Sequence, residues 1–175
     1  MLICQKKLQE SHLKDIWEML CASDKEFVPP LSERNSTTQQ TFSKKKTDER
    51  GLTKYYKQLL QYEFVLAIDK EKVVGFIAFI PNHLLQIKNK EIVCDYVTTI
   101  VVSSGFRGQG IARKMYNVLF ENRKNKNFAT RTWSTNHAHI HLLEKMGFEL
   151  AALLPNNRGK GIDTVYYLKK SMQEN

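Results

Sequence analysis

Apolar positions along the chain follow two rhythms, one helical and one extended. Leu13, Ile16, Trp17, Met19 and Leu20 recur at the spacing of one helical face, and Ser11 is placed to cap that helix. Residues 2–6 ahead of it read as a short strand, and Pro29-Pro30 stops helical structure beyond it. Helical spacing returns near Asp48 with Leu52, Tyr55, Tyr56, Leu59 and Leu60. Phe64–Ile68 and Val73–Ile80 are β-prone runs around the polar Asp69-Lys70-Glu71-Lys72, which predicts a hairpin whose second strand ends at Pro81. Ile92–Val102 reads as a long strand, followed by a helix over about 110–124 and a strand at Phe128–Trp133. A helix at Asn136–Met146 closes on Gly147. Strands at Phe148–Leu154 and Ile162–Leu168 flank a basic turn, Asn156–Gly161. The order β-α-(α)-β-β-β-α-β-α-β-β predicts an α/β protein: a mixed, twisted sheet of about seven strands with helices on both faces.

A length of 175 residues with 42% hydrophobic and 26% charged positions fits one domain over 1–175. Residues 31–47 are rich in Ser, Thr, Gln and Lys, which predicts a long loop or lid over about 28–50. No apolar run approaches the roughly 20 residues of a membrane span, and the first residues lack a signal-peptide core. Cys4, Cys21 and Cys94 are few and widely spaced. They predict free thiols in the cytoplasm and no metal site. The formal net charge of +9 points to an anionic partner or to a solvated basic surface. Lys44-Lys45-Lys46 has no interleaved aromatic residues, which argues against nucleic acid.

The candidate chemistry lies where the long strand ends. Val101-Val102-Ser103-Ser104-Gly105-Phe106-Arg107-Gly108-Gln109-Gly110-Ile111-Ala112 passes from a β-branched run through a glycine-dense loop into a helix. Such a loop presents bare N–H groups, and the helix adds the positive end of its dipole, so a diphosphate is the natural ligand. It is not a Walker loop, and Arg113 occupies the third glycine position of a dinucleotide fingerprint. What is present is Arg-x-x-Gly-x-Ala at 107–112. A second segment runs Asn136-His137-Ala138-His139-Ile140-His141-Leu142-Leu143-Glu144-Lys145-Met146-Gly147-Phe148. Together, in this order, the two resemble the motifs of the GNAT acetyltransferase superfamily. In that family Asn opens a helix that closes with Leu-Tyr-Glu-Lys-x-Gly-Phe. The resemblance covers 63–168.

The resemblance implies a single GNAT-like domain with a V-shaped splay between the fourth and fifth strands, and acetyl-coenzyme A as co-substrate. The backbone of Arg107, Gly108, Gln109, Gly110, Ile111, Ala112 and Arg113 would cradle the pyrophosphate. Ile100, Val101 and Val102 would pair with the pantetheine arm, and Asn136 would reach it from the second helix. The implied activity is direct ternary-complex transfer of acetyl to a primary amine of a small molecule or peptide. The acceptor would be bound by residues 21–62 and the last hairpin. The departing thiolate needs a proton and the attacking amine must lose one. The family's proton donor is the Tyr of its second motif, and here that position is Leu143. His139, one turn earlier on the same face, is the first replacement, Tyr166 or Tyr167 the second, and water the third. Asp95 is the candidate base, with Thr98 and Asp163 as alternatives. Arg158-Gly159-Lys160 either meets an anionic acceptor or is a plain hairpin loop. Cys94 leaves an acyl-enzyme route open. His137 and His141 have the i, i+4 spacing of a metal pair but no third ligand nearby. A homodimer is left open. The rival readings are a non-catalytic acyl-coenzyme A-binding regulator, suggested by Leu143, and a nucleic-acid-binding protein, suggested by the charge.

Overall fold

The computed structural model describes residues 1–42 and 51–171. The Lys44-Lys45-Lys46 run, residues 43–50 of the expected 28–50 loop and the onset of a helix near Asp48 lie outside the described residues. The protein is α/β, with a seven-stranded mixed sheet in the order β1-β2-β3-β4-β5-β7-β6. The strands are β1 (Leu2–Gln5), β2 (Glu63–Asp69), β3 (Lys72–Ile87), β4 (Lys90–Val102), β5 (Phe128–Trp133), β6 (Glu149–Gly159) and β7 (Ile162–Lys169). The helices are α1 (Glu10–Ser23), α2 (Gly51–Leu59), α3 (Ile111–Asn122) and α4 (His137–Lys145). The β4–β5 pair is parallel, while β1–β2, β5–β7 and β6–β7 are antiparallel. Contacts gather in two compact units, Met1–Ala78 with Thr99–Asn122, and Phe79–Thr98 with Arg123–Asn175.

In the first unit, the helical faces read from the sequence close one core. Ile16, Met19 and Leu20 of α1 and Tyr55 and Leu59 of α2 are buried with Phe64 and Leu66 of β2, Phe76 of β3 and Val101 of β4. Burial of that many large side chains, at roughly 1.5–3 kcal/mol each, is what offsets the entropy of ordering the elements. The α1 cap is not Ser11. Gln9 caps, and its backbone N–H donates to Nδ1 of His12 at 3.0 Å. His12 therefore accepts as neutral imidazole, and burial lowers its pKa in the same direction.

The described part of the polar segment is a loop that packs. Leu31, Arg34 and Thr37 are buried. The Arg34 guanidinium donates from Nε and Nη2 to the Pro29 carbonyl at 3.1 and 3.0 Å, and lies 5.4 Å and 5.6 Å from the Phe27 and Phe42 ring centres. Cation–π contact with two rings, plus two hydrogen bonds, lets a polar stretch pack without an apolar run of its own. Composition counts hydrophobic residues and misses this.

The second unit contains the parallel pair, the β6–β7 hairpin and α4. Leu85, Cys94, Tyr96, Ala129, Ala152, Tyr166 and Leu168 form its buried cluster. Two strands run further than the sequence suggests. β6 extends to Gly159 through most of the expected basic turn. β3 passes through Pro81 to Ile87. Asn82 has φ +50°, and its N–H goes to the side-chain Oδ1 of Asp95 on β4 at 2.9 Å instead of to a backbone carbonyl. A proline lacks the ladder donor, so the strand survives it by diverting the next donor to a side chain.

Candidate functional site

The glycine loop lies in the first unit. β4 enters it with the Ser103 N–H on the Val74 carbonyl at 2.9 Å, and a single 3₁₀ turn at Ser104–Phe106 follows. From Gly108 to Arg113 no amide reaches an acceptor among the described residues, and the first helical bond of α3 is Lys114 N–H to the Gly110 carbonyl at 3.0 Å. Four of these six amides, from Gly110 to Arg113, are the orphan donors of a helix start. The others are bared by Gly108 and Gly110, whose φ values of +75° and +72° turn successive N–H groups to one side. A Cβ at either glycine would meet nothing within 4 Å, so the space beside the loop is open. Arg113 and Lys114 are exposed at its rim. Ile111, Met115, Tyr116 and Leu119 bury the opposite face of α3, which holds the loop on a rigid base. This arrangement concentrates donors and positive potential on one anion.

The strand that feeds the loop matches its expected part only in the backbone. Val101 points into the core, while Ile100 and Val102 are half-buried. The β4–β5 ladder runs from Asp95↔Phe128 to Val97↔Thr130, whereas β4 itself continues to Val102. At the last rung the Thr130 hydroxyl donates to the Val97 carbonyl at 3.0 Å, so a side chain replaces the next backbone donor.

The second unit holds the other motif. Asn136 precedes α4, and its Nδ2 donates to Thr132 Oγ1 at 2.9 Å. That bond fixes the amide and leaves its Oδ1 without a donor among the described residues. Gly147 has φ +81°. Its N–H meets the Glu144 carbonyl, and the Phe148 N–H meets the Leu143 carbonyl, both at 3.0 Å. This is a Schellman end, the physical content of the Gly-Phe in the motif. Leu143 is fully buried and carries no proton.

The proton-transfer candidates come out differently from one another. Asp95 is fully buried. Its Oδ2 accepts from Arg123 Nε at 2.7 Å, and its Oδ1 accepts from Arg123 Nη2 at 3.0 Å and from the Asn82 N–H at 2.9 Å. A base needs an oxygen turned toward substrate, and these are turned toward a guanidinium. His139 has a pKa lowered by burial to about 4, so at pH 7 only about one ring in a thousand is imidazolium. That state does not suit an acid. Tyr167 donates to Glu144 at 3.2 Å, and burial followed by that carboxylate raises its pKa. Tyr166 accepts from Arg131 at 3.3 Å. Asp163 Oδ1 accepts the Asn156 N–H at 2.8 Å, a turn-capping role. Arg158 is buried, with Nε donating to Thr164 Oγ1 at 3.0 Å, so it does not project from the hairpin. Burial and then Asp95 push the Cys94 thiol up to about 12, which suppresses the thiolate an acyl-enzyme route needs. Among the described residues no group of three His, Cys, Asp or Glu is placed to hold a metal. No helix among them is long and apolar enough to cross a membrane.

The lowered pKa of His139 has a measurable consequence. Its folded value, about 4, lies below the usual 6.5, so the fold favours the neutral ring. Stability is then complete above pH 6.5 and falls as pH drops from 6.5 toward 4, by roughly 3 kcal/mol at most. Urea unfolding of His139→Gln is expected to lose most of that slope. An unchanged slope in the variant would remove the assignment.

Sequence reasoning missed Thr132, Arg123 and Glu26, the last discussed below. Arg123 lies 28 positions from Asp95, and no periodicity links the two.

A family model described as Acetyltransferase (GNAT) family matches residues 30–148. Solved structures of the same fold include an aminoglycoside 6'-acetyltransferase type Ii, with TM-score 0.71, 18% identity and 100% of both chains covered. An aminoglycoside 6'-N-acetyltransferase complexed with coenzyme A has TM-score 0.68 at 16% identity, covering 100% of this chain and 99% of that one. A putative acetyltransferase from Salmonella typhimurium with its cofactor acetyl-CoA has TM-score 0.63 at 17% identity, covering 100% of this chain and 97% of that one. No curated protein matches the sequence. At these identities the structural likeness concerns the fold.

Proposed function

The chain belongs to the acetyltransferase (GNAT) family, and from that premise we propose that it moves an acetyl group from acetyl-coenzyme A to a primary amine of a small molecule or peptide. The observation that carries the reading is the run of six unengaged amides from Gly108 to Arg113, beside open space and at a helix N-terminus. A diphosphate satisfies those donors. The structural neighbours with coenzyme A or acetyl-coenzyme A support the same donor. We assign the pantetheine arm to the backbone of Ile100, Val101 and Val102, the exit of β4.

The transfer is direct. The amine nitrogen attacks the thioester carbonyl carbon, the C–S bond breaks, the amine loses a proton and the thiolate gains one. Leu143, neutral His139 and the Glu144-bound Tyr167 support solvent as the source of that proton. A thiolate is a tolerable leaving group, so the step needs less acid catalysis than amine expulsion would. We assign Asp95 a structural role, anchoring Arg123 and the Asn82 N–H, and leave deprotonation of the amine to solvent. Free thiols and the absence of a membrane-spanning helix among the described residues are compatible with a cytoplasmic enzyme.

Thermal unfolding with acetyl-coenzyme A at 100 times its Kd is expected to show about 2.7 kcal/mol of stabilisation, a rise of several degrees in Tm. No rise would overturn the reading. Release of free thiol with a panel of amines then separates an enzyme from the second reading, a coenzyme A-binding regulator, which the buried Leu143 favours.

A further inference from the structure

We propose that Glu26 is a positioning residue for the diphosphate loop and acts through Arg107; this rests on the acetyl-coenzyme A reading above. Arg107 opens the loop motif, and its side chain is engaged by protein groups. Nε donates to the Val102 carbonyl at 2.9 Å, while Nη1 and Nη2 donate to the two Glu26 carboxylate oxygens at 3.2 and 2.8 Å. Three of the five guanidinium donors are therefore spent on protein. Val102 is the last residue of β4, so the guanidinium ties the strand exit to the loop entry and both to Glu26.

Glu26 stands on a braced segment. It ends the short 3₁₀ turn Asp24–Glu26. Asp24 accepts the Ser32 N–H and hydroxyl, each at 2.7 Å, and Arg34 grips the Pro29 carbonyl five positions before it. The loop is thus tied to the 21–62 segment, where the family resemblance implies acceptor binding. Exposed ion pairs usually contribute little, and both side chains here are about half exposed at 47% and 52%. This pair differs in being bidentate and in having a third anchor on the backbone, which makes it a geometric constraint more than a charge interaction. Arg107 then serves the diphosphate through loop shape, and Arg113 and Lys114 supply the free positive charge.

The sign of one measurement decides between shape and charge. Glu26→Gln removes a negative charge near the loop, so a purely electrostatic role predicts tighter acetyl-coenzyme A binding. Positioning predicts weaker binding, about fivefold in Kd by calorimetry, with a matching rise in the donor KM and little change in kcat. In an Arg107→Gln background the same change is expected to have no further effect. Binding that is unchanged or tighter in Glu26→Gln, or a fivefold loss that persists without Arg107, overturns the proposal while leaving the functional reading intact. A native chain that takes up no acetyl-coenzyme A overturns the functional reading, and the role of Glu26 with it. Urea midpoints confirm that both exposed substitutions leave the fold in place.

Discussion

Gly110→Ala is expected to weaken acetyl-coenzyme A binding by about tenfold or more, at a cost to the fold of only about 1 kcal/mol. The position has φ +72°, a conformation that an L side chain adopts under strain, and the strain is small enough for the surrounding core to tolerate. The binding loss is larger for two reasons. Relaxing that φ rotates the flanking amides away from the shared anion. A Cβ there would also project into the open space beside the loop, where it meets no protein atom within 4 Å. Gly105 is the matched control. It also has open space around an added Cβ but no positive φ, so Gly105→Ala is expected to bind within about twofold of the native chain. Calorimetric titration with acetyl-coenzyme A and urea unfolding of both variants check this. Equal affinity in Gly110→Ala would mean that the bared amides do not hold the diphosphate.

Arg123→Met is expected to destabilise the protein by about 3 kcal/mol, because it leaves the buried Asp95 carboxylate without its bidentate partner, and Asp95→Asn by less, because the Arg123 side chain is partly exposed. The distinguishing readout is the pH dependence of turnover in whatever fraction stays folded. An anchoring Asp95 predicts that both variants lose activity in proportion to unfolding, with the shape of the kcat/KM profile unchanged. A general base predicts that Asp95→Asn alone removes a limb of that profile. Loss of that limb in Asp95→Asn, with Arg123→Met retaining it, would return Asp95 to the chemistry.

The β4 carboxylate shows why some of the site could be read from sequence and some could not. The glycine loop and the Schellman end at Gly147 are local. Their geometry is set by a few consecutive residues, and glycine is one of the few that adopts the required φ. Element order was legible for the same reason, since the faces Ile16–Met19–Leu20 and Ile111–Met115–Leu119 repeat within single helices. The role of Asp95 was not legible. A charge between β-branched residues is compatible with catalysis or with burial, and the choice was made by Arg123 and by the Asn82 N–H. The packing of the loop around Arg34 was not legible, because two aromatic faces and a carbonyl, not an apolar run, bury it.

By itself the sequence determined the strand–loop–helix unit that bares its amides, an apolar Leu143 where the family motif has Tyr, and the overall α/β order. Each rests on local backbone preference or on the identity of one residue. Only the tertiary structure decided what the charged side chains do. Glu26 meets Arg107 across 81 positions, Asp95 meets Arg123 across 28, and burial sets His139 and Cys94 in their neutral forms. Charge and proton affinity depend on which groups the fold brings within a few ångströms and on how much water it removes, and neither quantity is written in the local order of residues.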